Sequence, residues 1–155
     1  MMPDKDPELD GNGFPTCLYR VRAEVEARDG VVERISKGRW VVSNRSVPPS
    51  TIFIYFHDDG WVEVGFGRHP AMLSSPEDAY STDFGDGMPT SLESSVIGIL
   101  DGGYRECVIL DDNDVFVGDG FEFDFPGQAG GRMPEVAGGA RQIWWTYPAW
   151  PRKRD

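Results

Sequence analysis

Residues 90–110 read Thr-Ser-Leu-Glu-Ser-Ser-Val-Ile-Gly-Ile-Leu-Asp-Gly-Gly-Tyr-Arg-Glu-Cys-Val-Ile-Leu, and the pattern changes character partway along. Leu92, Val96, Ile99 and Leu100 fall at i, i+4, i+7 and i+8, which is one apolar stripe of an α-helix. Thr90-Ser91-Leu92-Glu93 in front of them is a capping box: the Thr90 hydroxyl accepts from the Glu93 amide, and the Glu93 carboxylate reaches back. Gly102-Gly103 ends the helix, because glycine takes up the left-handed conformation that closes a last turn. Tyr104 to Leu110 is then a strand. A helix this short is stable only when packed on something, so the stretch predicts a helix laid against a sheet.

Working outward, Ile52-Phe53-Ile54-Tyr55-Phe56 is apolar on both faces and predicts a central strand covered on each side. Asp59-Gly60 turns it into Trp61–Phe66, where Val62, Val64 and Phe66 share a face; this is a hairpin. Residues 67–88 lose any period among Pro, Ser, Gly and Asp and predict a long surface loop with one helical turn near Pro76–Tyr80. Upstream, Cys17 to Ala27 alternates, with Tyr19, Val21, Ala23, Val25 and Ala27 facing one way, and predicts a half-buried strand. Asp29-Gly30 would turn it into a second β-rich run, Val31–Val42. Downstream, Asp111-Asp112-Asn113-Asp114 is a turn, and Phe121, Phe123 and Phe125 alternate onto a buried side. Gln142–Tyr147 predicts an edge strand. The expected fold is therefore α+β: a largely antiparallel twisted sheet of hairpins with one principal helix packed on one face. The expected organisation is a disordered segment over 1–13, the α+β domain over 14–126, a Gly/Pro-rich connector over 127–139, and an aromatic edge strand with a frayed basic tail over 140–155. The Trp144, Trp145, Tyr147 and Trp150 cluster reads either as an exposed anchor or as a tail folding back over the sheet.

The chain has 155 residues, 39% of them apolar, enough for one core. The N-terminus lacks the basic and apolar regions of an export signal, and no run is long enough for a membrane helix, so the expectation is a cytoplasmic protein. Cys17 and Cys107 are expected as free thiols. The net charge of −11 is uneven. Between Ser46 and Gly131 stand sixteen acids against only Arg68 and Arg105, whereas the remaining residues carry ten acids and thirteen bases. Such an acidic body repels nucleic acid and anionic membranes and steers basic surfaces toward itself.

Motifs of chemistry are missing. Counted from Asp111, the acidic turn puts Val115 and Phe116 where a calcium loop needs a ligand and a glycine. His57 and His69 lack zinc spacing, no Gly-x-Ser-x-Gly occurs, and neither cysteine has a catalytic context. No glycine run has phosphate-loop spacing. No metal, cofactor or catalytic residue is expected.

The hairpin Thr51–Gly67, the acidic glycine-rich segment after it, the proline-led helix Pro89–Leu100 and the run Gly103-Tyr104-Arg105-Glu106-Cys107-Val108 together form a layout. That layout, over less than half of the chain, resembles small bacterial immunity proteins of polymorphic-toxin systems. The resemblance implies a cytoplasmic inhibitor that blocks the active site of a cognate basic toxin, often a nuclease or deaminase. Asp58, Asp59, Asp83, Asp86, Asp111, Asp112 and Asp114 all lie at expected turns or loops and are the candidate partner-binding acids, with Trp61 as a candidate anchor. Two other classes stay open: a small enzyme with an acid–base site in residues 67–88, and an assembly subunit using the Trp-rich end as an edge strand. The helix assignment has a direct consequence. Replacing Ile99 by Ala is expected to lower unfolding stability in urea by about 2–5 kcal/mol, as for a fully buried aliphatic side chain.

Overall fold

The computed structural model describes residues 7–45, 51–58, 62–66, 71–73, 81–83, 89–126, 128–133, 135 and 138–154. The described residues form an α+β fold of two antiparallel sheets with a principal helix packed against them. The first sheet is a meander in sequence order: β1 (Val31–Ser36), β2 (Arg39–Ser43), β3 (Ile52–Phe56), β4 (Val62–Gly65), β5 (Ala71–Leu73), β6 (Ser81–Asp83) and β7 (Pro89–Ser91). The second runs β10 (Gln128–Arg132), β9 (Phe116–Phe125), β8 (Tyr104–Leu110) and β11 (Arg141–Thr146).

The principal helix, α2, spans Leu92–Leu100, the residues its stripe indicated. It is buried on nearly every side, Ser95 and Ile97 included, because it lies against β9 on one flank and a second helix on another. Gly98 is what lets it approach: a Cβ there would stand 2.1 Å from the Phe125 ring. The helix begins one residue later than a box capped by Thr90 requires, and Glu93 pairs with Arg20 at 2.6 Å.

The segment 17–27 corrects the expectation of a strand. Thr16–Leu18 is a 3-10 turn and Tyr19–Glu26 is helix α1. Leu18, Val21 and Val25, at i, i+3 and i+7, are fully buried, while Tyr19 of the alternating set is exposed. Both periods are written in these residues, and packing against α2 selects the helical one. The hairpin assigned to Asp29-Gly30 is accordingly the β1/β2 pair, turned at Lys37-Gly38.

The two helices end alike. Asp29 (φ 62°) and Gly102 (φ 79°) adopt the left-handed conformation; the Gly30 amide donates to Val25 O at 2.9 Å and the Gly103 amide to Gly98 O at 2.8 Å. Between these ends lies Arg28, 2% exposed, which donates to Glu24 Oε2 and to Asp101 Oδ1, both at 2.6 Å. The C-terminal tail, expected to fray, is docked on the same place. The Trp150 amide donates to Leu100 O and the Lys153 amide to Ala27 O, both at 2.8 Å; Arg152 pairs with Glu24 at 2.7 Å, and the Trp150 ring is in the core. Of the two readings of the Trp-rich end, Trp150 therefore takes the folded-back one.

Other expectations shift as well. β3 is covered on one face only: Ile52, Ile54 and Phe56 are buried, but Phe53 is exposed and Tyr55 half-buried, which an antiparallel sheet permits. Val62, Val64 and Phe66 share the buried face, and Phe121, Phe123 and Phe125 do likewise. Within 67–88, expected to be loop, β5 and β6 extend the first sheet; the helical turn assigned to 76–80 lies outside the described residues. The connector contains β10, whose Gly130 is opposite Phe123 and leaves the ring room beside the backbone. Residues 7–13, expected to be disordered, are tied by Asp10, whose carboxylate accepts from the Asn12 and Phe14 amides and the Tyr19 hydroxyl. Among the described residues no helix is long and apolar enough to cross a membrane.

The helix junction has a pH signature. Arg28, by hydrogen bonding, and Arg152 hold the Glu24 carboxyl below its ordinary value, against the opposing effect of burial. A lowered folded value contributes stability that is whole above the carboxyl's ordinary range and is lost as pH falls through the folded value. Glu24→Gln is therefore expected to unfold at lower urea than the parent at about pH 7, and the gap between the two midpoints narrows as pH falls below the carboxyl's ordinary range.

Candidate functional site

The acidic turn between β8 and β9 is built by its own side chains. Asp111 Oδ1 accepts from the Asn113 amide at 2.8 Å and the Val115 amide at 2.9 Å, an arrangement that closes the turn without a cation. Asp114 (φ 63°) pairs with Arg141 of β11. Asp112 projects exposed between them. Three of the sequence-derived acids, Asp111, Asp112 and Asp114, are thus brought into one turn.

Beside that turn the sheet is open and apolar. Val115, Phe116, Val117 and Ile143 are exposed by 56%, 54%, 45% and 44%. Residues directly opposite in an antiparallel ladder share a face. The registers therefore place Phe116, Leu110 and Arg141 in one row and Asp119, Val108 and Ile143 in another on the same face. Val108 and Leu110 are half-buried. The result is an apolar patch rimmed by Asp111, Asp112, Asp114 and Asp119, with Arg141, paired to Asp114, on the same edge. It continues the core-facing side of β8 and β9 past the point where that side is covered.

Glu106 marks the boundary. The next rows along the same face are Phe121, Glu106 and Trp145, then Phe123 and Tyr104. There the sheet is roofed by Phe66, whose ring centroid lies 4.6 Å from that of Tyr147 and 5.6 Å from that of Tyr104. Glu106 is fully buried and accepts from the Tyr147 hydroxyl, which in turn is 3.3 Å from Trp145 Nε1. Burial, reinforced by the Glu106 carboxylate and Tyr147, pushes the Tyr104 phenol well above its ordinary value. This is a carboxylate held in a ring of aromatics, where it orders the strand ends beneath the patch rather than meeting solvent.

Two of the remaining sequence candidates lie on the first sheet instead. Asp58 is exposed in the turn after β3 of the first sheet, and Asp83 lies on β6, opposite Pro89. Asp59, Trp61 and Asp86 lie outside the described residues. Sequence reasoning missed Phe116, Ile143 and Glu106. The signals were there: three successive apolar residues directly after an acidic turn, and a glutamate at an inward position of an otherwise apolar strand face.

On the opposite face a cleft of 510 Å³ runs between Gly103, Arg105, Glu122, Asp124 and Thr146. Its central charges pair with each other, Arg105 to Glu122 at 2.5 Å, and the guanidinium lies 4.1 Å over the Trp144 ring. Neither Cys17 nor Cys107 is in a disulfide; burial pushes the Cys107 thiol up, and its sulfur lies 3.7 Å from that of Met133. Among the described residues no group of three or more His, Cys, Asp or Glu side chains converges as metal ligands would.

No protein-family model, curated protein or solved structure matches this chain.

Proposed function

We propose that this protein is a binding inhibitor of a basic protein, acting in the cytoplasm as small bacterial immunity proteins act on toxin nucleases or deaminases. The observation that carries the reading is the acid-rimmed apolar patch on β8, β9 and β11. Exposed apolar surface framed by polar and charged groups is the anatomy of a protein interface, with a dehydrated centre and a polar rim. Here the centre is Phe116, Val108, Leu110 and Ile143, and the rim is acidic within a segment carrying sixteen acids and two bases. A partner with the complementary basic rim is drawn in by the field and held by the apolar contact. Active sites that cleave or edit nucleic acid are basic, so covering one with this surface both neutralises and occludes it.

The division of labour between rim and centre supplies the test. The partner captured from native cells is expected to be basic and to lose its activity in a stoichiometric complex. Phe116→Ala is expected to raise the off-rate about tenfold or more while leaving the on-rate nearly unchanged. Neutralising Asp112 and Asp119 together is expected to lower the on-rate and flatten its salt dependence in stopped-flow association. Capture of no basic partner, combined with turnover of a small molecule by the purified protein, would overturn the reading.

A further inference from the structure

We infer that β11 is a self-complementary edge through which two copies of this chain join their second sheets. The edge borders the partner patch and shares Ile143 with it, but the pairing runs through the backbone of β11 and does not depend on the proposed partner.

An open sheet edge presents a row of unpaired amides and carbonyls, and proteins normally protect it with charges, proline or a bulge. The β1 edge of the first sheet is protected in this way. It carries Glu33 and Arg34, both exposed, and its register shifts between Arg34 and Ser36. β11 carries a charge only at its first residue, Arg141, which is paired with Asp114, and it has no proline or bulge. Its register against β8 runs unbroken from Arg141 to Thr146, and residues 142–150 hold no charge, with the first proline at Pro148 beyond the strand. Among the described residues β11 pairs with β8 alone.

The occupant follows from the register. If a second β11 is laid antiparallel with Trp144 opposite Trp144, then Ile143 faces Trp145 of the other copy and Gln142 faces Thr146. Directly opposed pairs share a face, so the pairs from 142 to 146 are compatible, aromatic with aromatic, β-branched with aromatic, amide with hydroxyl, and Arg141 faces Tyr147. No like charges meet. The strand also belongs to the part of the chain outside the acidic segment, so the two strongly acidic bodies approach through their least acidic region. The pairing joins two four-stranded sheets into one and adds a backbone ladder to the side-chain pairs.

Sedimentation velocity of the full chain, from micromolar concentration upward, is expected to show a monomer–dimer equilibrium. Ile143→Lys places a lysine opposite each Trp145 and is expected to raise the dimer dissociation constant at least about tenfold. Phe116→Lys, on the partner patch, is expected to leave it unchanged. Under mild oxidation Trp144→Cys is expected to give a covalent dimer that the parent, with Cys17 and Cys107 only, does not form. Gln142→Cys is expected to cross-link to Thr146→Cys but not to itself. A parent that stays monomeric throughout, a dimer indifferent to Ile143→Lys or lost with Phe116→Lys, or cross-linking in another register, overturns the inference.

Discussion

The whole arrangement turns on the guanidinium of Arg28. A charge removed from water costs several kcal/mol unless carboxylates and further hydrogen bonds replace the lost solvent. Glu24 from α1 and Asp101 from the end of α2 do so for the two terminal nitrogens, so the two helix C-termini have only one spacing in which both are paired. Asn44, just beyond β2, donates to the Arg28 carbonyl at 2.7 Å and ties the first sheet into the same junction. The tail amides of Trp150 and Lys153 then occupy last-turn carbonyls that would otherwise be left without donors. Helix packing, sheet attachment and tail docking are thus solutions to one electrostatic problem.

That junction also explains which parts of the fold were legible in the sequence. α2 could be read because one period, one terminator and one apolar stripe agreed; the hairpin of β3 and β4 and the phenylalanines of β9 could be read for the same reason of local consistency. α1 could not, because Leu18, Val21 and Val25 are spaced for a helix inside residues that also alternate. The choice is made by α2, some seventy residues away in sequence. β10 was hidden by its composition: glycines look like linker until they are seen opposite large rings.

The candidate site shows the same division. Charge asymmetry is a property of composition and was visible at once. That the acids of one turn stand beside an open apolar patch is a property of register, which places Ile143, far along the chain, on the row of Val108. Likewise Asp111 looks in the sequence like a ligand or a rim charge, but its carboxylate is engaged in closing its own turn. The rim therefore owes its outward charge to the exposed Asp112 more than to Asp111.

The contact between Gly98 and Phe125 reaches beyond this one molecule. With only 2.1 Å for any added carbon, the helix residue and the sheet residue form a single unit of size. In a lineage that keeps this fold the two positions must drift together: a larger residue at 98 survives only where 125 has already shrunk, and the intermediate with both large is eliminated. Paired change at 98 and 125 is thus an ancestral mark that outlasts overall sequence similarity, and it offers a way to recognise distant descendants of the same fold.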